Sequence, residues 1–182
     1  GTLILNTVYS GTEAAIEDGA NINTPGDRGE VVSVEAQSDT NIITVGGNAG
    51  GAGAASVGGT ADINIIKKQT MASIGKNAKV YASEDVRVKA DSLERSAAAI
   101  FAGRGAGAAA VNGLANIHVV DNRTSAFIDE NALVDSHGNV LVAAEDDTQV
   151  KAIQAMGAGA GAAAVGGGID VTTITNQTRA YI

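Results

Sequence analysis

The sequence predicts an all-β fold, a parallel β-solenoid (β-helix) built from repeats of about 54 residues, and three observations carry the prediction. Alike stretches recur at a fixed interval, apolar residues alternate with polar or small ones inside each stretch, and blocks of Gly and Ala return at the same point of every repeat. The interval is set by three endings, IIKKQT, VVDNRT and TITNQT, whose closing residues Thr70, Thr124 and Thr178 are 54 residues apart. Ile74, Ile128 and Ile182 keep that spacing. An upstream copy is longer, with Ile16 preceding Ile74 by 58 residues. Its extra residues fall in NTPGDRGEVVSV, where Pro25, Gly26 and Gly29 mark a loop that absorbs an insertion. Residues 1–182 therefore read as one solenoid fragment: a repeat tail at 1–12, full copies at 13–70, 71–124 and 125–178, and the start of the next at 179–182.

Each copy opens on an Ile followed three residues later by Gly19, Asn77 or Asn131. Gly and Asn tolerate a left-handed backbone, so a tight turn is expected there. Ala20, Ala78 and Ala132 follow, then Ile22, Val80 and Val134. The next strand is marked by Val32 and Val34, Val86 and Val88, Val140 and Val142, alternating with polar or small residues as a half-buried strand does. The Gly/Ala block comes next, with Gly51, Gly105 and Gly159, then Gly53, Gly107 and Gly161, shared by all copies. It is read as a thin part of the solenoid in which opposing sheets pack on Gly and Ala. A last strand alternates Ala61-Ile63-Ile65, Ala115-Ile117-Val119 or Ile169-Val171-Thr173 with polar partners, giving one apolar and one polar face. Ile66, Val120 and Ile174 break the alternation and are read as the strand's end. About six strand-like segments per copy favour two coils of roughly 27 residues over three of roughly 18.

Composition excludes several classes. Hydrophobic residues make up 45% of the chain, too many for a disordered one, and a single Pro rules out a Pro-rich linker. The 24 Gly and 3% aromatics argue against a core of large rings. A net charge of −8 leaves no basic patch for nucleic acid or anionic lipid; Lys67-Lys68 is the one adjacent basic pair. Without Cys there is neither a disulfide framework nor a thiolate metal site. Residues 152–169 carry no charge and have small-xxx-small spacings, but Arg104 and Asn112 in the aligned stretch and the strand-like period speak against a membrane helix. The opening GTLILNTVYS lacks a basic leader, so the chain is expected to be an excerpt whose export signal lies elsewhere.

Chemistry is sparse. His118 and His137 are expected to be exposed strand or turn residues, because their equivalents in other copies differ. Glu145-Asp146-Asp147 lies opposite Asp91 and Glu94 of the preceding copy. Such carboxylates could hold Ca²⁺ if they stacked, but solvated turn charges are the favoured reading. Asn122-Arg123-Thr124 and Asn176-Gln177-Thr178 are N-x-T sequons in an expected surface turn. No catalytic, cofactor-binding or metal-ligating residues are assigned, and no cofactor is called for; P-loop, dinucleotide and nucleophile-elbow motifs are absent.

The stretch AFIDENALVDSHGNVLVAA, followed by a Gly/Ala block and by NxT-x-A-[FY]-I, resembles the repeat region of leukotoxin-type filamentous adhesins of Gram-negative bacteria. More loosely it is similar to filamentous haemagglutinins. The resemblance spans essentially the whole chain and is one of repeat texture. It implies a right-handed β-helix in a very large exported protein, secreted or held at the cell surface. It also implies a non-enzymatic role in attachment to a host-cell surface or matrix component, without nucleic-acid binding or membrane insertion. Exposed end coils would allow head-to-tail self-association. The alternatives are a polysaccharide-active β-helix enzyme and a leukocyte-directed toxin segment.

Overall fold

The computed structural model describes residues 1–182. The chain is all strand and turn: β1 (Thr2–Ile16), β2 (Asn21–Ile22), β3 (Val32–Ala52), β4 (Ala55–Ile74), β5 (Lys79–Ala82), β6 (Val86–Ala106), β7 (Ala109–Ile128), β8 (Leu133–Ser136), β9 (Val140–Ala160) and β10 (Ala163–Tyr181). Three parallel sheets result, ordered β1-β4-β7-β10, β3-β6-β9 and β2-β5-β8. Each turn of the chain contributes one short strand and two long ones, and the next lies on it, as in a parallel β-solenoid.

The register settles the coil count. Thr70 pairs with Thr124 and Thr124 with Thr178, while Ile16 pairs with Ile74. One sequence copy is thus one coil, not two. The segments that read as separate strands are parts of strands 19 to 21 residues long, whose mid-strand polar residues imitate turns. Two-residue bends at 53–54, 107–108 and 161–162 return each long strand of the second sheet as one of the first. The two long sheets lie against each other along the coil. Gly19, Asn77 and Asn131 hold φ of 70°, 56° and 57° at the opposite corner, the left-handed turn that their residue types permit.

The insertion in the first copy forms a strap along the stack. Arg28 donates to the Asp135 carboxylate (2.7 Å) and carbonyl (3.1 Å), two coils away, and lies 5.6 Å over the Tyr81 ring. Asn23 donates to the Tyr81 carbonyl at 2.8 Å.

The core divides the coil into two zones. Around the short sheet, Val32, Val34, Ile74, Val80, Val86, Val88 and their neighbours form one aliphatic cluster. Here apolar residues point in and charged ones out. Towards the Gly/Ala bend the pattern inverts. Asp62, Asn64, Asn116 and His118 are fully buried between the sheets, while Leu3, Leu5, Val57, Ile169 and Val171 face solvent. Ile66 marks the crossover. It does not end the strand: β4 runs on to Ile74, with Ile66 buried on the same side as Asp62 and Asn64. The backbone alternation is unbroken; what changes is the chemistry of the interior.

The glycines of the block act differently from expectation. A Cβ on Gly105 or Gly159 would meet nothing. On Gly107 it would overlap the Gly53 carbonyl, and on Gly161 the Gly107 carbonyl. The close approach is therefore between successive bends along the stack, not between opposing sheets. Elsewhere in the block Gly leaves room for long side chains: Arg104 packs over Gly50 and Gly58, and Met156 over Gly166.

Candidate functional site

Because side chains alternate across a strand, every residue type in the chain is committed to one of two places: the interior or a long outer face. Sorting the candidates this way decides what each can do.

His118 goes inside. It is fully buried on β7, in register with Asn64 below and Thr172 above, and neither ring nitrogen has a protein partner. Burial holds its pKa below the ordinary value, against the pull of Asp62 and Asp170. The expectation of an exposed His is overturned here. It failed because the polar row of β7 lines the interior. His137 lies in an exposed bend after β8.

The acidic run is split by the same alternation. Glu145 and Asp147 point outwards, Glu145 beside Asp91, and Asp91 is itself paired with Lys89 at 2.7 Å. Asp146 points inwards, where it accepts from Thr124 (3.0 Å), Thr148 (2.8 Å) and Asn176 (2.8 Å). No group of three or more His, Cys, Asp and Glu side chains is placed to hold a metal ion.

The Lys pair is split too. Lys67 faces out towards Tyr9, while Lys68 is buried and crosses to the opposite sheet. Its ammonium donates to the carbonyls of Ser38 and Leu93, both at 3.0 Å, and lies 3.6 Å from Glu94. Glu94 is fully buried and its oxygens accept no hydrogen bond. Desolvation raises its pKa against the attraction of Lys68, and lowers that of Lys68 against the attraction of Glu94. Nothing in the sequence signalled this pair, since Lys68 and Glu94 are 26 residues apart and unlike residues stand at both positions in the other coils.

The sequons lie in strand, not in a surface turn. Asn122 and Thr124 are fully buried, with Asn122 donating to Thr148 at 3.0 Å. Asn176 points to the same side and bonds Asp146 and Thr148, but is exposed in the last coil. An oligosaccharide on Asn122 cannot be accommodated in this fold.

What remains for contact with other molecules is the outer surface of the aliphatic zone. Over the first sheet it presents Tyr9, Lys67, Gln69, Asp121 and Arg123 around a shallow groove. Over the second it presents Gln37, Asp39, Lys89, Asp91, Arg95 and Glu145 around another. Each groove crosses successive coils at register-equivalent positions, so its side chains form rows along the stack. Comparison with known protein families, with curated proteins and with solved structures finds no match for this chain.

Proposed function

We propose that the chain is a structural and adhesive segment of an exported bacterial surface protein, a stiff rod that attaches to a host-cell or matrix component through its charged sides. One observation carries the reading: coils stack in register, so the same outer positions recur from coil to coil as polar rows. Such a surface suits multivalent attachment, in which weak contacts add through effective concentration. The resemblance of the repeat to filamentous adhesins supports the same role and places the protein outside the cell.

The test is binding of the folded chain to host cells and to matrix proteins at two ionic strengths. Saturable binding that weakens with salt is expected, because exposed charges are screened. Lack of binding by a chain with an intact β-sheet circular dichroism spectrum would leave it the role of a spacer.

A further inference from the structure

The inverted zone has an outer face that the attachment reading leaves unused. Over the first sheet, from position 57 to position 65 of each coil, the outward residues are Val, Gly, Ala and Ile, and none is charged. Val57, Val111 and Val165 are 77%, 45% and 62% exposed. The relief is regular. Gly59, Ala61, Gly113 and Ala115 form the floor of a groove along the stack. Ile63, Ile117 and Val171, with Ile65 and Val119 beside them, form a ridge next to it.

We infer that this face pairs with the same face of a second copy, by a two-fold axis parallel to the stacking direction and opposite positions 62 and 116. That operation is the one that mates the relief with itself. Position 63 of one copy meets 61 of the other, and 65 meets 59, so each ridge enters a groove two outward positions wide. It also leaves the stacking direction unchanged, so that every coil faces its own equivalent at a common strand spacing of about 4.8 Å. The rows cover roughly 26 Å along the strands and 19 Å across four of them, about 500 Å² per copy. The total of about 1,000 Å² reaches the lower limit for a specific interface, with small residues at its centre and no charge to desolvate. A bilayer is a poorer occupant, because β1 and β10 each have an unpaired backbone edge, which hydrocarbon cannot satisfy. The outer face of the second sheet is less suited, since Lys151 and Phe101 interrupt it at positions equivalent to Ile43 and Gly47.

Sedimentation velocity of the whole chain from micromolar to roughly millimolar loading, beside Ile63→Lys/Ile117→Lys, tests the pairing. Both residues are outward and half-exposed, so the variant is expected to keep the parent circular dichroism spectrum. The parent is expected to move from the monomer to the dimer coefficient with concentration, and the variant to stay a monomer throughout. The register is read separately, since the chain has no Cys of its own. A short bis-maleimide is expected to link a mixture of Ala115→Cys and Ile117→Cys chains several-fold more than either alone. A parent monomeric over the whole range would overturn the inference. So would oligomers that persist in the Lys variant, which would be joined end to end. So would a parent that stays monomeric yet floats with phosphatidylcholine vesicles, which would give the face to lipid.

Discussion

Two glycines two residues apart, Gly105 and Gly107, should respond oppositely to the same added methyl group. Neither has a positive φ, so backbone strain does not enter and the contrast is one of space alone. A Cβ on Gly107 overlaps the carbonyl oxygen of Gly53 and lies 3.2 Å from its carbonyl carbon. Both are backbone atoms and cannot rotate away. To accept Ala, one bend must lift from the other by about 1 Å, which forfeits packing worth roughly 1–3 kcal/mol. The lift also stretches the hydrogen bonds from Gly107 to Ala52 (3.2 Å) and from Ala108 to Ala54 (2.9 Å), each worth about 1 kcal/mol. Gly107→Ala is therefore expected to cost about 2–4 kcal/mol. At Gly105 the added Cβ meets nothing within 4 Å. There Gly105→Ala removes unfolded-state freedom and is expected to gain roughly 0.4–1 kcal/mol. Guanidinium unfolding of both variants, followed by circular dichroism, reads the two shifts in midpoint. Equal effects, or a tolerated Gly107→Ala, would refute stacking of the bends as the reason for the block.

Three further outcomes follow from the interior. Lys68→Met leaves Glu94 buried without its partner and should cost roughly 3–5 kcal/mol, whereas Lys68→Met/Glu94→Leu should return to within about 1 kcal/mol of the parent; denaturant midpoints of the single and double variants decide it. Because the folded pKa of His118 is depressed, its stabilising effect is complete above the unfolded value near pH 6.5 and is lost as pH falls below it, at up to about 1.4 kcal/mol per pH unit. His118→Asn, which installs the residue found at the equivalent position 64, should remove that loss, and melting of both proteins between pH 7.5 and 5 would show it. Asn77, at φ 56°, should accept Gly without loss but cost about 1 kcal/mol as Ala, measured by thermal unfolding.

Much of the architecture was legible because a solenoid writes its period into the sequence. The 54-residue spacing of Thr70, Thr124 and Thr178 is the pairing register itself. The Gly-or-Asn choice at 19, 77 and 131 marks the left-handed corner, since few other residues accept that φ. The number of coils was not legible. A strand of about twenty residues exceeds the usual length of about six, so its charged middle, such as Gln37 to Asn41, looks like a loop. The direction of each face was equally hidden. Period-two alternation says that Ile63 and Asn64 lie on opposite sides, but not which side is inside. Polarity argues for Ile63, and the structure buries Asn64.

That reversal explains the one place where the pattern seemed to fail. Along β4 the outward residues Ile63 and Ile65 are followed by inward Ile66, a shift of phase without a bulge. The same shift occurs in β3, from inward Val32, Val34 and Ala36 to outward Ile43 and Val45. Both long sheets thus change character along the coil and keep the change in every coil. Two adjacent strands could slip by one residue and trade faces, but a slip would move the aliphatic zone outwards as it brought the apolar face in. The two zones oppose each other's preferred register. Asn6 and Asn64, bonded at 2.8 Å across adjacent coils, and Asn64 and Asp62, at 2.7 Å, help hold the observed one from inside. Burying amides and carboxylates in this way stabilises less than an aliphatic core would. It is accounted for if the apolar residues they displaced are needed outside, and pairing of the outer faces supplies that need. Ile63→Asn should then leave the fold of the monomer intact and weaken only its association, whereas Asn64→Ile should disturb the coil itself. The reverse order of effects, read by unfolding and sedimentation of both variants, would mean that the interior has been assigned to the wrong face.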